Sequence, residues 1–375
     1  MNGPRRLISL TFASIFAIGF TSVAAVFRPT ILERVPLGSL APATPMLEPR
    51  SGHTATLLSD GRVLIVGGMR RNQDFYKSAE LYDPASGKFQ QTGNMSVGRV
   101  GHSAVLLRSG KVLIVGGWIG HVTSDSGELY DPATGTFSQV GKMTARRSAA
   151  TATLLDSGDV LVVGGQESDG PGGALASSEI FHVDTLRFQL ASSLRHARWS
   201  HTASKLQNGQ ILIAGGNDGG LVAGAELYDP GTGNFTETGN LNEPRCKHTA
   251  GLLPDGRVLI AGGSDTRGWN GTMASAEIYD PGTGKFSPTT SLNESRFKLP
   301  REAVLLNSGR LLVGGGSKAM ELYDPSTGKF LVVPGQMDNS WHYMTETKLS
   351  DGRVLLAGGY PNNDKATGQT WIYHP

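Results

Sequence analysis

The sequence predicts an all-β fold, a seven-bladed β-propeller, on three observations. A Gly-Gly doublet closes an apolar run at Gly67, Gly116, Gly164, Gly215, Gly262, Gly315 and Gly358, at intervals of 43 to 53 residues. Each of those runs follows a turn dipeptide, and in five units an Asp-Pro-x-x-Gly turn comes after it. The stretches between these markers are short and β-like, with no room for a helix. Self-similarity at such a period marks a repeat architecture, in which each unit is one supersecondary element.

Unit 5 shows the four strands in order: "KHTAGLL", "RVLIAGG", "SAEIYDP" and "GKFSPTT". The first two are joined in every unit by pairs such as Asp60-Gly61, Ser109-Gly110 and Asn208-Gly209, which tolerate the positive φ of a tight hairpin. The last two are joined by "DPASG", "DPATG", "DPGTG" or "DPSTG", where Pro presets φ and Gly takes the left-handed position. Each unit is therefore a four-stranded antiparallel meander. One such sheet cannot bury both its faces, whereas seven arranged radially bury them against one another. The last unit runs only to "TWIYHP" and has three strands. Counting back from Met46 by the spacing between Phe89 and Met95 lands on Leu40, so residues 37–43 are predicted to supply the outer strand of blade 7. The domain plan is a leader at 1–27, a linker at 28–36 and the propeller at 37–375.

Bulk composition narrows the function classes. Among 375 residues, 51 glycines with 18% charged and 38% hydrophobic residues describe a turn-rich globular chain. Arg5 and Arg6 of the leader account for the formal charge of +2, so the remainder is balanced and a nucleic-acid partner is not expected. Cys246 is the one cysteine, which excludes an intramolecular disulfide and a cysteine-based zinc site. The uncharged run Leu7 to Phe27 after the two arginines reads as an export signal or a membrane anchor. Ser22-Val23-Ala24 favours cleavage, while a length of about twenty residues is enough to span a bilayer. The expected location is periplasm, cell envelope or secreted, with membrane contact only through that segment if it is uncleaved.

The pattern R-x-x-H-[TS]-A, apolar-Gly-Gly and E-[LI]-Y-D-P-x-[TS]-G-x-F resembles the kelch repeat over residues 46 to 375, in a bacterial exported form. The resemblance specifies a fold and leaves activity open, because one fold hosts many functions. Kelch propellers include partner-binding modules and also sugar enzymes such as galactose oxidase and the sialic acid mutarotase. Galactose-oxidase-like chemistry implies copper held by two His and two Tyr, with one Tyr cross-linked to Cys; Cys246, His342, Tyr343, Tyr360 and His121 are its loose ingredients here. The mutarotase family has six blades, against seven counted. No cofactor is predicted outside the oxidase alternative, and no metal site.

Strand alternation places the segment before each first strand and the loop after each Gly-Gly on one face, with the tight turns on the other. The post-doublet loops differ in length and content, from "SKA" to "SDTRGWNGTMAS", and variable loops on a rigid frame are where recognition resides. Trp118, His121, Arg70, Arg71, Arg267, Trp269 and Tyr360 are the loop candidates, each also readable as an ordinary exposed side chain. At the channel mouth the residues that break the repeat are Trp199, Cys246, Lys247, Lys298, Trp341, His342 and Tyr343. That aromatic and cationic mixture suits sugars or acidic peptides.

Two further sets recur. Arg50, Arg99, Arg147, Arg198, Arg245 and Arg296 precede the first strand, and Glu80, Glu128, Glu179, Glu226, Glu277 and Glu321 open the third; unit 7 has Trp341 and Thr370 instead. The arginines read either as an anion-binding ring or as members of structural Arg-Glu pairs, and the joint loss in unit 7 favours pairs. His53, His102, His201 and His248 begin first strands, where units 3, 6 and 7 have Ala150, Arg301 and Met344, an arrangement that argues for packing. No G-x-S-x-G, H-E-x-x-H, phosphate-loop or EF-hand motif occurs. The expectation is a binding module for a protein or glycan at the cell envelope, with a carbohydrate-active enzyme as the alternative.

Overall fold

In a computed structural model, residues 36–71, 74–168, 172–361 and 365–375 are described, and they lie in one compact unit, Pro36–Pro375. The leader at 1–27 and all but the last residue of the linker fall outside the described residues. No helix among the described residues is long and apolar enough to cross a membrane.

Seven four-stranded antiparallel sheets form the ring, with two short ribbons beside them. In blade 1 the order from axis to rim is Thr54–Leu57, Val63–Val66, Ala79–Asp83 and Lys88–Gln91, all consecutive in sequence. The second strand of this blade is buried at all four residues, because each face of a blade is covered by a neighbour. That explains why "VLIV" shows no alternation. The core is accordingly a set of inter-blade layers: Leu64, Val66 and Leu81 of blade 1 pack with Val112, Ile114 and Tyr130 of blade 2.

The turns follow the chemistry of their residues. At the inner hairpin of blade 1 the Gly61 N–H donates to Leu58 O at 3.0 Å, with Gly61 at φ 86°. At the outer hairpin the Gly87 N–H donates to Asp83 O at 2.8 Å, and Asp83 Oδ1 accepts the Ala85 N–H at 2.9 Å. The Tyr and Phe flanking that turn, Tyr82 and Phe89, place their ring centroids 4.9 Å apart.

Ring closure is made by the strand Ser39–Ala43, which pairs antiparallel with Thr370–His374, Leu40 opposite Tyr373. The outer strand of blade 7 thus comes from the N-terminal side, two residues shorter at its start than the 37–43 expected. Leu40 packs with Leu322, Val333 and Tyr373, joining the seam to blade 6.

Candidate binding site at the channel mouth

Just ahead of each inner strand the chain makes the same backbone move. Gly52, Gly101, Ala149, Ser200, Lys247, Lys298 and Tyr343 all have left-handed φ, between 51° and 66°. Their neighbours close a ring of backbone hydrogen bonds around the mouth: the N–H of Gly101 donates to Gly52 O, Ala149 to Gly101 O, Ser200 to Ala149 O and Lys247 to Ser200 O. The circuit continues with Leu299 donating to Lys247 O, Tyr343 to Lys298 O and Gly52 to Tyr343 O, with one residue of slip in blade 6. Glycine takes this conformation freely, whereas an L-residue costs about 1–2 kcal/mol. Blades 5, 6 and 7 nevertheless carry Lys, Lys and Tyr there.

Inside that ring lies a second one. His53 Nε2 is 3.1 Å from Thr345 Oγ1, and His102, His201 and His248 are each 3.0 Å from the hydroxyl of Thr54, Thr151 and Thr202, always on the preceding blade. Burial, followed by the nearby Arg50 charge, holds His53 down at about 3; burial and Arg245 do the same to His248. Burial and neighbouring arginines keep His102 and His201 well below the ordinary histidine range. These are neutral packing histidines.

The second ring breaks in blades 3, 6 and 7, and two of the breaks meet. Blade 3 has Ala150 in the histidine position, and Arg301 of blade 6 reaches across the axis, its Nη1 donating to Ala150 O and, at 3.2 Å, to Ser103 Oγ. Thr249, which a histidine at 301 would address, has a buried hydroxyl without a partner.

Above the mouth, the six repeated arginines each meet the glutamate of their own blade. The N···O distances are 2.8 Å for Arg50–Glu80, 2.8 Å for Arg99–Glu128 and 2.7 Å for Arg147–Glu179. They are 3.0 Å for Arg198–Glu226, 3.3 Å for Arg245–Glu277 and 2.6 Å for Arg296–Glu321. All twelve side chains are 0–2% exposed. Each glutamate also accepts N–H groups of the segment crossing from the previous blade, as Glu128 does from Ser96 at 2.9 Å, while Arg99 Nη1 donates to Gly116 O at 2.8 Å. Gly67 must be glycine in this setting, since a Cβ there would sit 2.7 Å from Arg99 O. In blade 7, Trp341 instead packs 6.0 Å from Trp371 and donates its Nε1–H to Asp338, and Thr370 donates to Thr44 O.

The rings enclose a funnel of about 620 Å³ on the variable-loop face. Trp118, His121, Trp199, Lys247 and Tyr343 line it, together with Arg301, Glu302 and Glu346. Lys247 Nζ stands 5.6 Å over the Trp199 ring. Burial pushes the Tyr343 phenol far up and keeps it a neutral donor; burial also pushes Glu302 up, and Glu346 up to about 8, against the pull of Arg296.

Other sequence candidates lie elsewhere. Arg70 and Arg71 sit on the ribbon Met69–Arg71, and Arg267 is an exposed loop residue pairing with Asp265 at 2.6 Å. Trp269 belongs to the short 3-10 turn Gly268–Gly271. Trp341, His342, Tyr360 and Cys246 are buried. His342 packs between Phe297 and Tyr360 with Nδ1 3.2 Å from Phe297 O, and Lys298 has Phe297, Tyr343 and Tyr360 rings 5.0–5.5 Å from its Nζ. Sequence reasoning missed Glu302 and Glu346. The available signal was charge on the inner strands of units 6 and 7, where the other units have Thr, Ser or Ala.

The residues present do not fit copper. Lys298 Nζ donates to the Tyr360 hydroxyl, which puts an ammonium where a metal would need a phenolate. His342 Nδ1 is taken by a carbonyl, and His121 lines the funnel from the blade 2 loop, two blades away from His342. Among the described residues no three His, Cys, Asp or Glu side chains are grouped to hold a metal ion.

A ring of seven four-stranded blades with one variable-loop face defines a β-propeller. A family profile described as Kelch motif matches residues 49–96, 99–144 and 245–293, so three of the seven blades, 1, 2 and 5, carry recognisable Kelch motifs. Among solved structures it is similar to a fungal alcohol oxidase of the AA5 family in complex with copper, at 17% identity and a TM-score of 0.73. That match covers 90% of this chain and 76% of the oxidase, and at such identity it speaks for the fold alone. No curated protein matches the chain in sequence.

Proposed function

We propose that this propeller is a non-catalytic binding module of the cell envelope that recognises a protein or glycan through the funnel on its variable-loop face. The observation that carries this reading is the clustering of Trp118, Trp199, Lys247 and Tyr343 in one cavity of about 620 Å³. Concave sites of about 300–1,000 Å³ with a few converging polar groups are typical of ligand pockets. Two of those residues are held at left-handed φ, a strain that the frame alone does not require, since Gly52 and Gly101 fill the same place. Export is supported by the leader sequence only.

A glycan array combined with capture from envelope extract tests the reading, with Trp118→Ala and Trp199→Ala as controls. Ligand retention that both substitutions abolish, without a change in melting temperature, is the expected result. Retention indifferent to both would remove the funnel as the binding site. Cell fractionation and N-terminal sequencing of the mature chain test the location. The opposing enzyme reading predicts bound copper and a Tyr-Cys thioether, which metal analysis and peptide mass spectrometry measure directly.

A further inference from the structure

We propose that the funnel is a site for a carboxylated sugar, with Arg301 as the cation that receives the carboxylate. This rests on the reading of the funnel as the binding site and names the ligand class.

The starting point is a contrast among arginines. Six buried guanidiniums each have a glutamate at 2.6–3.3 Å. Arg301 is partly buried in the funnel wall and has no carboxylate within ion-pair distance among the described residues. Its Nη1 is held by Ser103 Oγ and Ala150 O, which leaves Nε and Nη2 without a protein acceptor. A partly buried charge without a partner is costly, and burial already pulls the Arg301 pKa down.

The strut is not needed for polar satisfaction. Ser103 Oγ donates to Ala150 O at 2.8 Å without help, and the departure from histidine leaves Thr249 Oγ1 orphaned. Arg301 therefore costs the frame something at both ends. A ligand carboxylate supplies the missing partner, and the planar guanidinium fork is built for that geometry.

The walls favour a sugar over a peptide. The funnel wall is polar, as suits a polyhydroxylated ligand: Ser200 lines it beside Ser103, Ser148 and Thr151, whose hydroxyls also bond Ala150 O, Gly101 O and His201 Nε2. The indoles of Trp118 and Trp199 offer flat apolar surfaces with a polar edge, suited to the C–H face of a pyranose. Lys247, over Trp199, adds a second cation at the rim and makes no ion pair among the described residues. Glu302, beside Arg301 in sequence, and Glu346 face the same space. Burial favours their neutral forms, so they offset the guanidinium less than their number implies.

The test is isothermal titration calorimetry of the full chain with oligogalacturonides and with neutral galactose oligomers of equal length, repeated on two variants. Arg301→His places at blade 6 the residue that four other blades use, so it is expected to fold with an unchanged melting temperature. Lys247→Met keeps the interior intact if Arg301→His does not fold. The acidic oligomer is expected to bind about tenfold tighter than the neutral one. That preference disappears in Arg301→His and falls about threefold in Lys247→Met. Equal binding of the two oligomers, an undiminished preference in both variants, or preference for a poly-glutamate peptide overturns the proposal. If neither sugar binds while Trp118-dependent capture of a protein persists, the ligand class is wrong and the binding-module reading stands. Loss of Trp118 dependence in every assay takes down that reading as well.

Discussion

Blade 1 meets the axis with a four-residue inner strand, Thr54–Leu57, led by a histidine bonded to its neighbour; blade 6 has only Val304–Leu305 in that place and sends Arg301 across the channel. Blade 1 has Val66 at the end of its second strand, packed into the layer with blade 2. The equivalent residue in blade 6 is Gly314, and a Cβ there would collide with Glu346 of blade 7. Both blades keep the Arg-Glu pair and the Tyr-Phe pair at the outer turn. The difference teaches that blade 6 keeps the repeat at its outer hairpin and Arg-Glu pair and abandons it at its inner two strands, next to the funnel.

The seam between the chain's two ends has the largest effect to lose. Removing residues 36–43 exposes the Thr370–His374 edge and the Leu40 layer, and should lower the melting temperature by roughly 10 °C with a broadened transition. An unchanged melt means that blade 7 does not need this strand. Next come the regular pairs: Arg99→Ala and Glu128→Ala should each cost about 3–5 kcal/mol in denaturant titrations, because each strands a buried charge. Arg301→His should cost under about 0.5 kcal/mol. Equal losses at 99 and 301 would erase the distinction between frame and funnel.

Two pH effects separate the regions further. The Glu346 carboxyl has a folded value near 8, above its unfolded value, so its contribution is fully present below pH 4.5 and is lost as pH rises toward 8. Glu346→Gln should therefore leave stability at pH 4.5 unchanged and raise it by up to about 3 kcal/mol at pH 8. The histidine ring has the opposite sign. With folded values near 3, His53 and His248 bind protons mainly in the unfolded chain, so stability falls as pH drops below 6.5, by about 2 kcal/mol per imidazole at pH 5. Denaturant melts of His53→Gln at pH 8 and pH 5 check this, with a smaller acid loss expected in the variant. The smallest effect is at the loop surface: Arg267→Ala removes one exposed ion pair and should leave the midpoint of a denaturant titration unchanged.

The architecture was legible because its determinants are local. Turn dipeptides, the Asp-Pro-x-x-Gly corners and the doublets each act within a few residues, and the missing fourth strand of unit 7 pointed to residues near Leu40. The positions of arginine and glutamate that recur together are the ones that meet. Trp199, Lys247 and Tyr343, which break the repeat near the axis, share the funnel with Trp118 and His121 of a variable loop, and both features are visible in the sequence. In the sequence Arg301 shows only as a departure from the histidine position. Its partners, Ser103 and Ala150, lie on the opposite side of a ring whose diameter the sequence does not state. Glu302, just before the short strand Val304–Leu305, and Glu346, within Thr345–Lys348, look like surface charges in sequence until the neighbouring blade is in place. Trp341, His342 and Tyr360 broke the repeat for a packing reason: without the Arg-Glu pair, blade 7 fills the gap with aromatic rings.

The pairing of Ser39–Ala43 with Thr370–His374 also sets an order of events in time. Six blades can be completed from consecutive segments as the chain emerges, each within about fifty residues of sequence. The seventh waits for Thr370–His374, and until then Ser39–Ala43 has only the bond from the Leu40 N–H to Pro334 O of the preceding blade. A long-range contact of this kind carries the full entropy of joining distant ends. The nascent chain therefore remains an open arc with two raw edges until Thr370–His374 has been made and Ser39–Ala43 can pair with it.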